Sequence, residues 1–129
     1  MTTNGISISL NQASPVPAYE QLRSQLADLI SVGRLSQGDR LPSVRQFASD
    51  LGLANNTVVR AYRELETAGL VKSRRGSGTQ VIAPTATTDV KAKLAEHARS
   101  YAAAAKQLNA THEEALAAIR HALATRDAL

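Results

Sequence analysis

Apolar residues recur at spacings of three and four from Tyr19 through Leu22, Leu26, Leu29 and Ile30, which predicts an amphipathic helix with one buried stripe. Pro15 and Pro17 keep the chain out of helix until about residue 18, and Gly33 stands where the helix should stop. Ahead of it, ISISL at 6–10 alternates apolar and polar, the period of a short half-buried strand. Residues 36–39 are predicted to be a loop. Pro42-Ser43 opens a second helix. There Ser43 and Gln46 form a capping box, in which the hydroxyl takes the residue-46 amide and Gln46 reaches back to the residue-43 amide. Val44, Phe47 and Leu51 make its apolar face, and Gly52 ends it after two to three turns. A third helix, from about residue 55 to 68, turns Val58, Ala61, Tyr62 and Leu65 inward and Asn56, Val59, Arg60 and Arg63 outward. Leu70 to Ser73 and Gln80 to Ile82 predict two strands joined by the turn Arg74-Arg75-Gly76-Ser77-Gly78.

After a linker at 84–88, two more helices are expected. The first, from about Asp89 to Leu108, carries Val90, Leu94, Ala98, Tyr101, Ala105 and Leu108 on one stripe. Asn109-Ala110 interrupts it, Thr111 with Glu114 is a second capping box, and Leu116, Ile119 and Leu123 stripe the last helix. The fold class expected is mainly α with a small β wing: a winged helix-turn-helix over 1–83, then a helical-pair dimerisation region over 84–129.

Composition narrows the function. With 15 Lys+Arg against 11 Asp+Glu the chain is mildly basic, and most of that excess lies in residues 1–83. This permits a nucleic-acid partner without establishing one. The absence of Cys excludes disulfides and thiolate metal sites and suits a reducing cytosol, so a cytoplasmic location is expected. No apolar run approaches the roughly 18 residues of a membrane span, and the N-terminus does not resemble a secretory signal. One Phe and no Trp offer little to stack single-stranded bases on. His97, His112 and His121 lack paired ligand spacing, so no metal is expected. No G-x-S-x-G motif or phosphate-binding loop is present, so neither enzyme activity nor a cofactor is expected.

The order helix, short helix, tight turn, helix, two-stranded hairpin is that of a helix-turn-helix followed by a wing. In such a unit the helix after the turn enters the major groove, its first residues near base edges. Asn55 and Asn56 stand at that start, and Asn can pair bidentately with adenine. Arg60, a turn further on, is placed to reach guanine or a phosphate, and it also lies four residues from Glu64, with which it can pair. At the hairpin tip Arg74 and Arg75 lie beside glycines that allow close backbone approach, and arginine suits phosphates and narrow minor grooves.

The stretch LPSVRQFASDLGLANNTVVRAYRELETAGLVKSRRGSGTQV resembles the winged helix of GntR-type bacterial transcription regulators, over about residues 6–83. NNTVVRAYRELE is most similar to the YtrA subfamily and the related MocR group. The short tail favours the former, since MocR-like proteins add a large aminotransferase-like domain. The resemblance implies roles for Arg45, just after the Pro42-Ser43 pair, on the DNA backbone, for Asn55, Asn56 and Thr57 on bases and phosphates, and for Arg75 and Gly76 in the minor groove. Two departures stand out. Many members have Ser or Asn where this chain has Ala54, which makes Asn55 a candidate cap. Many also have Arg at the position of Val59, whereas here the arginine is Arg60. The DNA-contacting set is therefore Ser43, Arg45, Asn55, Asn56, Thr57, Arg60, Arg74, Arg75 and Gly76.

A two-helix unit as small as 84–129 cannot bury both its stripes alone. The stripes must pack on the winged helix, on another copy, or on both, and Leu94, Tyr101, Leu108, Leu116, Ile119 and Leu123 are expected to form a homodimer interface. Two-fold symmetry would then set two recognition helices on the half-sites of a palindromic operator. The function expected is a sequence-specific transcriptional regulator, a repressor released by a small-molecule effector if one exists. The alternatives are a winged helix used for protein contact and a nonspecific DNA-binding protein.

Overall fold

In the computed structural model, which describes residues 2–3, 5–76, 78–83 and 89–125, the chain divides into two units, Met1–Asp89 and Val90–Leu129. Ser77 of the predicted turn and the 84–88 linker lie outside the described residues. The first unit opens with strands β1 (Thr2–Thr3) and β2 (Ile6–Ser7), paired antiparallel with Thr3 opposite Ile6. The predicted strand at 6–10 is thus cut short at Ser7, although its alternation persists, with Ile6 and Ile8 buried and Ser7 and Ser9 exposed. Beyond Ser7 a side chain replaces the missing strand. The Ser9 N–H donates to Gln25 Oε1 at 3.0 Å, and Gln25 Nε2 donates to the Ser9 carbonyl at 2.7 Å.

Helix α1 (Ala18–Ser31) begins directly after Pro17 and buries Leu22, Leu26 and Ile30, leaving Tyr19 and Leu29 half-buried. Helix α2 (Val44–Leu51) buries Phe47, Ala48 and Leu51. Only half of its predicted capping box forms. The Gln46 N–H donates to Ser43 Oγ at 3.1 Å, but the Gln46 side-chain amide donates to the Asp50 carboxylate at 2.9 Å instead of serving Ser43. A charged acceptor one turn along the same helix outcompetes the return bond. Gly52 follows at φ 67°, a left-handed conformation that side chains other than Asn and Asp rarely adopt. It turns the chain straight into helix α3 (Asn55–Thr67), whose buried residues are the predicted Val58, Ala61, Tyr62 and Leu65.

The core lies where these three helices meet the hairpin. Leu22, Leu26, Phe47, Val58 and Leu65 are completely buried, and the Phe47 and Tyr62 rings pack tilted at 6.3 Å between centroids. Tyr62 brings its hydroxyl inside and donates it to the Pro42 carbonyl at 2.7 Å. Burial pushes that hydroxyl's pKa well up, so it stays a donor. Tyr62→Phe leaves the buried carbonyl without this donor, and urea unfolding should register a loss of about 1–2 kcal/mol.

Strands β3 (Val71–Arg74) and β4 (Gly78–Val81) form the wing, antiparallel, with Val71 opposite Val81 and Arg74 opposite Gly78. Val71 and Val81 are buried, so the hairpin is rooted in the core while its other end reaches solvent. Just past the predicted 36–39 loop the chain pairs with the wing through a single bridge. Arg40 bridges Gln80, the Leu41 N–H donates to the Thr79 carbonyl and the Val81 N–H donates to the Asp39 carbonyl, both at 2.8 Å.

The second unit consists of α4 (Val90–Gln107) and α5 (His112–Thr125), joined through Asn109 in a left-handed conformation at φ 58°. Here the capping box is complete. Glu114 Oε1 accepts the Thr111 N–H at 2.8 Å, and Thr111 Oγ1 accepts the Glu114 N–H at 3.1 Å. Hydrogen bonding from the Thr111 backbone N–H, and from its side chain, holds the Glu114 carboxyl below the usual carboxylate range. Neither helix has a buried residue among those described.

Candidate nucleic-acid interface

Helix α3 sets its four buried residues on one side, and the opposite face is therefore open. Asn56, Val59, Arg60, Arg63 and Glu64 line a shallow groove along it. Asn55 is the first helical residue and not the cap. The cap position is Ala54, which has no side-chain hydrogen bond to give, so Asn55 remains exposed with its side chain in the first turn. Asn56 is exposed beside it, and Thr57 is half-buried with its N–H on the Ala54 carbonyl at 3.1 Å.

Arg60 has a more definite place than its position on the helix suggests. Its guanidinium lies over the Tyr19 ring, 3.7 Å from the centroid, and its Nε is 3.5 Å from Glu64 Oε2. The side chain is thus drawn toward the start of α1. Tyr19 was assigned only to the apolar stripe. The pairing with Arg60 joins residues far apart in sequence and leaves no local signal, whereas the Glu64 pairing follows from helical spacing. Next to Tyr19, Glu20 and Arg23 form a two-pronged pair at 2.8 and 2.6 Å. The hydrogen bonds to Arg23 hold the Glu20 carboxyl below its ordinary range.

At the start of α2, Ser43 and Arg45 are exposed, and the Ser43 hydroxyl accepts one bond from the helix. In the wing, Arg74 ends β3, and Arg75 and Gly76 form the described part of the turn, all exposed. Gly76 has φ 82°, which favours glycine at this tip. Residues directly opposite one another across strands share a face. Arg40, Gln80 and Lys72 therefore stand in one row, and Arg74, two residues beyond Lys72, lies on the same side. Arg40 and Lys72 were not among the expected contacts. Lys72 is discoverable from the hairpin's alternation, but Arg40 depends on its bridge to Gln80. The wing thus presents a cationic face as well as a cationic tip. Arg75→Ala should weaken binding to all DNA sequences and flatten the dependence of log affinity on log salt by about one unit, read from titrations at several salt concentrations.

A helix reached through a tight left-handed glycine turn, open along its outer face and followed by a core-rooted cationic hairpin, defines a winged helix-turn-helix DNA-binding protein. Residues 18–81 match the model for bacterial regulatory proteins of the gntR family. The chain is 43% identical to the HTH-type transcriptional regulator Rv1152 of Mycobacterium tuberculosis, an alignment covering 81% of this chain and 84% of that one. It is 39% identical to the HTH-type transcriptional repressor YtrA of Bacillus subtilis over 67% of each chain. Among solved structures it superposes on the GntR-family transcription factor YtrA from Sulfolobus acidocaldarius with a TM-score of 0.55 and 31% identity, covering 75% of this chain and 97% of that one. The chain belongs to the GntR family, as a YtrA-like DNA-binding transcription regulator. No described helix is long and apolar enough to cross a membrane.

Proposed function

We propose that the protein is a cytoplasmic homodimeric repressor that binds a palindromic operator and acts by occupying it, without catalysis. In this reading α3 enters the major groove, with Asn55, Asn56, Thr57 and Arg60 facing bases and phosphates. Ser43 and Arg45 hold the backbone at the start of α2, while Arg74, Arg75 and Gly76 follow the neighbouring minor groove. The tail, residues 84–129, joins two copies through Leu94, Tyr101, Leu108, Leu116, Ile119 and Leu123. A small molecule that bound the DNA-free form better would release the operator.

The observation that carries the dimer is the exposure of the tail's large apolar residues in the single chain: Leu94 63%, Leu108 80%, Leu116 56% and Leu123 61%. Leucines on regular helical stripes left this open call for a covering surface. A second copy supplies the same stripes in a self-complementary arrangement. Within one chain Tyr101 also donates its hydroxyl to the Ala115 carbonyl at 2.7 Å, which ties α4 to α5 and presents them as one unit. The repressor named YtrA supports the sign of regulation.

The test is selection of bound fragments from random duplex DNA at near-physiological salt, followed by sequencing. The expected result is enrichment of a palindrome. Binding without enrichment would make the protein a nonspecific DNA-coating factor, and no binding would turn the winged helix into a protein-contact module.

A further inference from the structure

The outer face of α3 contains one residue that can form no hydrogen bond through its side chain. Asn56, Val59, Arg60 and Arg63 follow the spacing i, i+3, i+4, i+7, by which a helix lying in a major groove brings side chains over base edges. The Asn and the two Arg offer donors to that groove, and Val59 offers two methyl groups. The core does not account for it. The half-buried hydrophobic residues packed against the core are Leu10, Ala27, Leu29, Val44, Leu53 and Leu70, and Val59 lines the outer groove instead. Helix propensity does not account for it either, since a β-branched residue on an open helix face is less favourable than Ala, Lys or Gln.

A major groove presents one apolar feature to such a side chain, the C5-methyl of thymine. Val59 is well placed for it. Arg60 is drawn to one flank of α3 by Tyr19. Val59 is turned about 100° from Arg60, onto the flank that also carries Glu66, whose carboxylate accepts the Ser73 N–H of the wing at 3.4 Å. Val59 therefore lies between the Asn56 row and the wing, and its β-branch holds χ1 in essentially one helical rotamer, which fixes where its methyls point.

We propose that Val59 is a specificity-determining residue that recognises the 5-methyl group of one thymine in each operator half-site, close to the base read by Asn56. The inference rests on α3 being the major-groove reader proposed above.

The experiment takes the duplex enriched by the selection and replaces each half-site thymine in turn by uracil, which lacks only the 5-methyl. Affinities are measured for the wild type, Val59→Ala and Asn56→Ala. Alanine favours helix, so Val59→Ala keeps α3 intact. At one thymine per half-site, the wild type should lose about fourfold in affinity, the worth of one buried methyl. Val59→Ala should start lower by a similar factor and be indifferent to uracil at that thymine. At every other thymine the two proteins should respond alike. Wild-type indifference to uracil everywhere overturns the proposal, as does a Val59→Ala protein that stays sensitive at the same thymine. If Asn56→Ala abolishes the preference for operator over random DNA while either of those results is seen, Val59 alone is wrongly assigned. If both variants keep that preference undiminished, or no sequence is enriched, the role of α3 as reader falls too.

Discussion

Leu94→Asp together with Leu123→Asp should leave the chain monomeric at micromolar concentration and lower its affinity for a palindromic operator by about a hundredfold or more. Leu94 lies on α4 and Leu123 on α5, and both are more than half exposed in the single chain. In a two-fold dimer each substitution appears twice, so four carboxylates would have to enter an apolar seam without partners. Loss of the seam removes the local concentration that one bound half confers on the other, a factor of roughly 10²–10⁴ in linked binders. Light scattering gives the mass, and titration of full and half-site duplexes gives the affinities. The half-site affinity should be unchanged, because the substitutions leave the winged helix intact. A wild type that is already monomeric, or a doubly substituted protein that remains dimeric, would remove the tail from the account.

Phe47→Ala should cost about 3–5 kcal/mol of stability, the usual range for deleting a buried ring. Phe47 has no exposed surface and packs against Tyr62, so it joins α2 to α3 beneath the Gly52 turn. That loss is a large share of the roughly 5–15 kcal/mol that holds a domain together. The melting temperature followed by circular dichroism should fall by some tens of degrees. DNA binding should disappear at the same lowered temperature, since Phe47 is the largest of the buried α2 side chains that seat this helix on α3. A melting shift of only a few degrees would mean that the neighbouring side chains close the cavity.

The helices were legible because burial writes its period into them. The stripe Leu22, Leu26, Ile30 and the set Val58, Ala61, Tyr62, Leu65 are where the spacing puts them. The Thr111–Glu114 box was legible for a different reason, since both partners lie within one turn and nothing nearby competes. The same rule failed by half at Ser43–Gln46, because Asp50 offers Gln46 a charged acceptor. The bridge that ties Arg40 to the wing was illegible. It is held by backbone bonds from residues 39–41 to residues 79–81, and backbone pairing carries no signature in a polar stretch with one apolar residue. Arg40's place on the wing was hidden with it. At the interface, the helical face of a residue could be read from spacing, as for Asn56 and Arg63. What could not be read was the tertiary contact that aims a side chain, as Tyr19 does for Arg60. The tail posed the converse case. Its stripes were plain in the sequence, but what covers them leaves no local signal there.

The rooting of the wing affects DNA that the protein never touches. Val71 and Val81 anchor the hairpin in the core that seats α3, and the segment bridged to β4 runs directly into Leu41 and Pro42, where Tyr62 of α3 fastens its hydroxyl. Hairpin and helix thus share one core, like the two jaws of a caliper. In the binding mode proposed above, a duplex gripped by both would have to bring a major groove and its neighbouring minor groove to the separation that the jaws dictate. Sequences that are stiff at another spacing must bend or narrow to fit, and that elastic cost differs from one base step to the next. Under that mode operators would be ranked in part by the mechanics of their uncontacted base pairs, and a stiffer root would sharpen that ranking without adding a single contact.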